Sequence, residues 1–203
     1  MGKITKIEEQ KRKSRVNLYI DGEFSCGLYK DTVVKYHLYK GKEITKAELS
    51  SIQEFEELVR AKEKTRNYLS YRPRSKREVQ VYLKDKGFNK DVFEEVTRDF
   101  EEAGLINDQR FAEMWVIDRN RRNPKGHFAL RMELKQKGIN NADIEKTLKL
   151  VDERENARRA AEKAIKKYRG KDKKERKILA YLARRGFPSL LAREVLEEIL
   201  RGE

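Results

Sequence analysis

The residue types that could do chemistry in this 203-residue chain are few, and they do not assemble into a catalytic pattern. Its two histidines, His37 and His127, lie far apart in the chain, and neither pairs with a Ser or Cys at motif spacing. They also form no metal-ligand spacing. The glycines build no phosphate-cradling loop. Carboxylates are abundant, but most alternate with Lys and Arg along helical stretches, as on solvated faces. A metal-dependent nuclease using scattered acids is therefore the weaker reading. No catalytic residue, metal ligand or cofactor is assigned, and the chain is expected not to be an enzyme. What remains is positive charge. With 49 Lys and Arg against 35 Asp and Glu, the net charge of +14 points to a polyanionic partner, most simply nucleic acid. A merely solubilising surface is the alternative. It fits less well because the charge is concentrated: from Arg154 to Arg185 there are fourteen Lys and Arg against Glu155, Glu162, Asp172 and Glu175.

The basic residues fall into three clusters. Arg72, Arg74, Lys76 and Arg77 form the first, Arg119, Arg121, Arg122 and Lys125 the second, and Lys166, Lys167, Arg169, Lys171, Lys173 and Lys174 the third. Arg110 and Arg131 complete the candidate set. Clusters of this kind suit phosphates, with an affinity that falls steeply as salt rises.

The clusters recur because the chain repeats. Leu83-Lys84-Asp85-Lys86-Gly87-Phe88, Leu134-Lys135-Gln136-Lys137-Gly138-Ile139 and Leu182-Ala183-Arg184-Arg185-Gly186-Phe187 are versions of one phrase, with their glycines 51 and 48 residues apart. Apolar residues coincide eight before each glycine (Val79, Leu130, Ile178), four before (Leu83, Leu134, Leu182) and thirteen after (Phe100, Val151, Ile199). A period near 50 with matching core positions predicts tandem helical modules in an elongated array. Each cluster then marks the approach to a module's middle helix, so three charge runs become one candidate stripe. Charged residues make up 41% of the chain, which suits thin modules with narrow apolar stripes better than one thick core.

Local signals set the elements. Ser75-Lys76-Arg77-Glu78 is a capping box opening a middle helix, and Asp172-Lys173-Lys174-Glu175 has the same pattern in the third repeat. Each middle helix is expected to end at its repeated glycine in the left-handed C′ position. The preceding Lys86, Lys137 or Arg185 would face the negative end of the helix dipole. That account is preferred to a binding role for these three positions. Asn107-Asp108 caps the second module, and Trp115, one turn after Phe111, is read as core rather than as a base-stacking platform. The expected boundaries are 61–104, 107–152 and 155–201, after an extension over 1–60. Within that extension, Val16–Ile20, Asp21-Gly22 and Glu23–Cys26 read as a β-hairpin, and Ile4–Ile7 as a third strand. Tyr29–Tyr36 reads as a short helix, and Thr45-Lys46-Ala47-Glu48 as the capping box of a longer one bearing Leu49, Ile52, Phe55 and Val59. The fold class is therefore mainly α, with three tandem three-helix repeats after a small N-terminal β-hairpin and helix.

A helix before and after each glycine invites comparison with helix–turn–helix DNA readers. The helix after Gly87 carries Asp91, Glu94, Glu95, Asp99, Glu101 and Glu102, and the one after Gly186 carries Glu194, Glu197 and Glu198. Acidic helices are poor insertions into a phosphate-lined groove, so base-specific reading is not expected and backbone contact stays open. One cysteine, Cys26, precludes an intrachain disulfide. No apolar run approaches a membrane helix, and the N-terminus lacks a signal-peptide core. A cytoplasmic protein without membrane contact is expected.

Tyr71-Arg72-Pro73-Arg74-Ser75 with Leu83…Lys86-Gly87, and the phrase Gly104-Leu105-Ile106-Asn107-Asp108-Gln109-Arg110-Phe111-Ala112, resemble the RecX family, which regulates the bacterial recombinase RecA. The resemblance runs from about Ala61 to the C-terminus, and the N-terminal hairpin is similar to the extension of longer members. Asn107 stands where many members carry an aspartate, and the third repeat keeps mainly its Arg-Arg-Gly-Phe turn. The resemblance implies a non-enzymatic modulator lying in the groove of the RecA–single-stranded DNA filament. Such a modulator lowers ATP hydrolysis, strand exchange and coprotease activity. It also implies single-stranded DNA as a partner, with nonspecific double-stranded DNA left open, and a monomer. A general DNA-binding protein acting without the recombinase, or a scaffold, are the other readings.

Overall fold

The computed structural model describes residues 1–11, 14–170 and 172–202. The chain divides into two compact units, residues 1–72 with 79–105, and residues 73–78 with 106–203.

The first unit opens with a four-stranded antiparallel sheet in the order β3-β2-β1-β4: β1 (Gly2–Glu9), β2 (Arg15–Ile20), β3 (Glu23–Tyr29) and β4 (Glu43–Ile44). The Asp21-Gly22 turn takes positive φ at both residues (50° and 89°), which matches the twist of the strands it joins. Strand alternation sends Ile4, Val16, Leu18 and Leu28 inward, where they pack with Leu38, Ile44 and Ile52. The short β4, which no sequence pattern indicates, pairs Ile44 with Gly2. Two residues give too little alternation to detect.

After α1 (Lys30–Lys35), α2 runs unbroken from Lys46 to Ser70, opened by the Thr45–Glu48 capping box with both reciprocal hydrogen bonds present. This helix crosses residue 60, where the extension is expected to end, and so serves the sheet with its first half. Its second half faces α4 (Lys90–Glu102), where Lys62 Nζ meets Asp99 Oδ2 at 2.5 Å. Glu56 of α2 is buried. Its Oε2 accepts hydrogen bonds from the Tyr29 backbone N–H (2.8 Å) and the Thr32 hydroxyl (2.7 Å), and Arg15 Nη2 lies 3.6 Å from its other oxygen. A buried carboxylate survives only with such partners.

The nine aligned repeat positions form the inner face of the modules. Val79, Leu83, Leu130, Leu134, Ile178 and Leu182 are all 0% exposed, and Phe100 is buried, whereas Val151 and Ile199 are half-buried at the module rims. The middle helices are α3 (Lys76–Asp85), α6 (His127–Gln136) and α9 (Lys174–Arg184). Each ends in the same pair of backbone hydrogen bonds. Phe88, Ile139 and Phe187 donate to the carbonyls of Leu83, Leu134 and Leu182, and Gly87, Gly138 and Gly186 donate to Lys84, Lys135 and Ala183. The glycines sit at φ of 86°, 83° and 81°, where a side chain is disfavoured.

The second unit holds α5 (Asp108–Arg122), α6, α7 (Asn141–Leu148), α8 (Glu153–Lys167), α9 and α10 (Ser189–Arg201). Asn107 caps α5 through the Arg110 N–H (2.8 Å), so asparagine fills the cap as an aspartate would. Asp152 caps α8 through the Glu155 N–H, and that helix therefore starts two residues earlier than expected. One capping expectation fails. Before α9 the N-cap residue is Lys173, in a left-handed conformation (φ 53°), with no side-chain cap bond. Asp172 is one residue too far from the helix to reach its first turn.

Candidate functional site

Two joints in the second unit repeat the same construction. Ser75 and Gly126 each stand twelve residues before a repeat glycine. The Ser75 hydroxyl donates to the Lys137 carbonyl at 2.7 Å, and the Gly126 N–H donates to the Arg185 carbonyl at 2.9 Å. In both cases the approach to one middle helix reaches the residue just before the next repeat's glycine. Lys137 Nζ pairs with Glu78 Oε1 (2.8 Å), and Arg185 Nη1 donates to the Pro124 carbonyl (3.4 Å). The contact is close enough to need glycine: a Cβ on Gly126 would lie 2.2 Å from the Gly186 carbonyl oxygen. Lys137 and Arg185 thus act in the joints. The equivalent turn at Gly87 has open space where a Cβ would go.

The basic residues of the three clusters are placed by these joints and by helix ends. Arg72 is exposed, and Lys76, Arg77 and the half-buried Arg74 belong to the first joint. There the Lys76 N–H donates to Asp108 (2.8 Å), and the Arg77 side chain lies against Gly138. Arg119, Arg121 and Arg122 form the last turn of α5, and Lys166 and Lys167 that of α8, positions that complement helix dipoles. The carbonyls of Arg121 and Arg122 accept hydrogen bonds from Arg159 (3.4 Å) and Lys163 (2.7 Å). Arg110 and Arg169 are exposed, Lys173 and Lys174 open α9, and Lys171 lies outside the described residues.

Several cations are already engaged. Glu133 pairs with Lys125 and with Arg119 Nε (3.1 Å), and accepts the Trp115 indole N–H (2.9 Å). Burial would raise the Glu133 carboxyl, but the hydrogen bonds from Lys125 and Trp115 prevail and hold it below its ordinary value. Arg131 forms a two-pronged pair with Glu145 (2.9 and 3.0 Å), which raises the arginine and lowers the carboxyl. That pairing removes Arg131 from the readily available cations. Trp115 is half-buried and stacks on Phe111 with ring centroids 5.8 Å apart, and Arg119 and Lys137 lie over its ring. It is a core-edge residue, as its spacing suggests. The acids of the third helices are partly engaged too, with Glu194 and Glu198 both on Arg154.

The structure brings together a group that the three clusters do not define. The end of α5, the loop before α6 and the ends of α8 and α9 enclose a cleft of about 640 Å³ lined by Arg119, Arg122, Lys125, Lys167, Arg184 and Arg185. Arg184, Arg185 and the neighbouring Tyr181 belong to none of the three clusters; their proximity to α5 depends on a joint no sequence period reports. Among the described residues, no group of three or more His, Cys, Asp and Glu could hold a metal. Burial raises the Cys26 thiol, the reverse of what a nucleophile needs. No described helix is long and apolar enough to cross a membrane.

Comparison with known proteins gives four consecutive matches to family models. Residues 2–45 match the regulatory protein RecX N-terminal domain, and residues 61–97, 107–148 and 152–196 match the first, second and third three-helix domains of RecX. The chain is 34% identical over 206 residues to a protein named Regulatory protein RecX from Clostridioides difficile (strain 630), covering 98% of this chain and 97% of that one. A protein of the same name from Streptococcus pneumoniae (strain CGSP14) is 35% identical over 188 residues, covering 91% and 72%. A crystal structure of regulatory protein RecX superposes with a TM-score of 0.79 at 28% identity, covering 98% of this chain and all of that one. The crystal structure of RecX from Lactobacillus salivarius gives 0.63 at 26% identity, over 70% of this chain and 96% of that one.

Proposed function

Since the chain belongs to the RecX family, we propose that it is a non-enzymatic regulator that binds the RecA–single-stranded DNA filament and lowers its ATPase, strand-exchange and coprotease activities. The observation that carries this reading is similarity along the whole chain, sheet and three repeats alike, to a regulatory protein of nearly the same length. The physical arrangement supports it. Within the second unit, recurrent joints fix the spacing of basic groups, so modest contacts at each repeat combine through effective concentration. The protein acts as a cytoplasmic monomer, and single-stranded DNA within the filament is the nucleic acid it meets.

The test is ATP turnover by RecA on single-stranded DNA in large excess, with this protein well below the recombinase concentration. Strong inhibition is expected, since competition for bare DNA could not deplete the excess. Absence of inhibition alongside salt-sensitive binding to DNA would replace this reading with that of a general DNA-binding protein. Reversing Arg72, Arg74 and Arg77 to Glu together should weaken filament binding at low salt, and unchanged affinity across salt would remove the first cluster from the interface.

A further inference from the structure

We infer that the cleft between the ends of α5 and α9 is a seat for a short run of phosphoryl groups, as in two or three consecutive phosphates of a single-stranded nucleic-acid backbone. This deepens the proposed function by naming what one basic site holds, yet it can be tested with no recombinase present.

Six cations face the cleft. Glu133 engages two of them, Arg119 and Lys125, and Asp118 lies 3.7 Å from Arg122. Among the described residues, no carboxylate pairs with Lys167, Arg184 or Arg185. Arg185 Nη1 donates to the Pro124 carbonyl at 3.4 Å, and Lys167 and Arg185 flank the Tyr181 ring at 5.7 and 4.5 Å. Three helices end here, α5 at Arg122, α8 at Lys167 and α9 at Arg184. Each C-terminus contributes about half a negative charge. Setting the two carboxylates and three helix ends against six cations leaves an excess of about two to three positive charges. The end of α5 is further neutralised by Arg159 and Lys163 on its last carbonyls, so this excess is a lower bound. Helix ends and carboxylates together offset a little over half of the positive charge, and helix-end complementarity alone only about a quarter.

The lining then selects the anion. Apart from Tyr181, the cleft presents only charged and amide side chains. An acidic peptide would bring apolar surface with nothing to receive it, whereas phosphoryl groups need only donors. Guanidinium forks at Arg122, Arg184 and Arg185 suit their tetrahedral oxygens. The joint makes the cleft possible: Gly126 on Arg185 holds the loop bearing Lys125 beside the end of α9. Cations on two repeats thereby face one space.

The experiment measures binding of labelled oligothymidylate to the full chain across salt, with inorganic tripolyphosphate as competitor. For a Lys167→Gln/Arg184→Gln variant, the slope of log affinity against log salt should flatten by about 1.4, at about 0.7 per lost phosphate contact on a single strand. A control removing two exposed charges of the first unit, Lys40→Gln/Lys46→Gln, should flatten it less. Should the first variant fold poorly, Arg122→Gln/Arg184→Gln carries the same expectation. Competition by tripolyphosphate that is lost in the variant shows that free oligophosphate also enters; oligonucleotide binding without such competition, with the slope still flattened, assigns the seat to the nucleic-acid backbone. A slope equal to wild type in both variants, or equal flattening by the control, overturns the inference. The filament reading would survive that result, because inhibition of RecA is measured separately.

Discussion

The Gly126–Gly186 joint makes a prediction whose size can be worked from distances. In Gly126→Ala the new Cβ would lie 2.2 Å from the Gly186 carbonyl oxygen and 2.7 Å from the Phe187 nitrogen, both backbone atoms that cannot swing aside. The two segments must part, straining the surrounding packing by about 1–3 kcal/mol. The hydrogen bond from Gly126 to Arg185 is weakened or lost, at about 0.5–1.5 kcal/mol. A total of about 2–4 kcal/mol follows. Gly186→Ala forces the same separation, since its Cβ would meet the Ala129 nitrogen at 2.4 Å, and adds left-handed strain at φ 81° of about 1–2 kcal/mol. Gly170→Ala isolates the strain, because at φ 70° its Cβ meets nothing within 4 Å. It should cost only about 1–2 kcal/mol. The assay is urea unfolding followed by fluorescence of Trp115, the single tryptophan, which packs within the second unit. Once one alanine has opened the joint, the other no longer meets a closed one. The double variant should therefore cost less than the two singles together, by about 2 kcal/mol. Strict additivity, or a Gly126→Ala change below about 0.5 kcal/mol, would refute this joint.

Three further outcomes are expected. The lowered Glu133 carboxyl contributes stability above its unfolded value near 4.5, and this is lost as pH falls through the folded value. Trp115-detected unfolding should thus show Glu133→Gln less stable than wild type at neutral pH, with the gap closing below pH 4.5. Glu56→Ala leaves the Tyr29 N–H and the buried Thr32 hydroxyl without their acceptor and should cost about 2–4 kcal/mol in the first unit, read as faster alkylation of the half-buried Cys26. Arg131→Ala should leave oligonucleotide affinity within about twofold, because Glu145 already engages that guanidinium, whereas loss of a phosphate contact would also flatten the salt slope.

The repeat, the fold class and most element ends are legible in the sequence because they rest on local physics. A buried position recurs with the turn of a helix, so Leu83, Leu134 and Leu182 align from spacing alone. A capping box closes over four residues, and a glycine at positive φ ends a helix wherever it stands. The same local reasoning fails at Asp172, where the turn into α9 places Lys173 at the cap. It also passes over Glu56, whose burial depends on strand and helix partners more than twenty residues away.

Which charges remain available is a matter of tertiary contact. Charge runs recur in the sequence of each repeat, yet Arg131 is paired and Arg119 and Lys125 share Glu133. Arg184 and Arg185, which in the sequence mark only the end of a helix, face Arg122 across a cleft. Ser75 reaches Lys137 across 62 positions, and Arg185 reaches Pro124 across 61. Helical periodicity reports neighbours three or four residues apart and carries nothing about the angle at which one repeat meets the next. Local spacing thus suffices for the modules and their basic character. Where that charge collects is set by the joints, in which the Ser75 hydroxyl and the Gly126 N–H each reach a backbone carbonyl about sixty residues away.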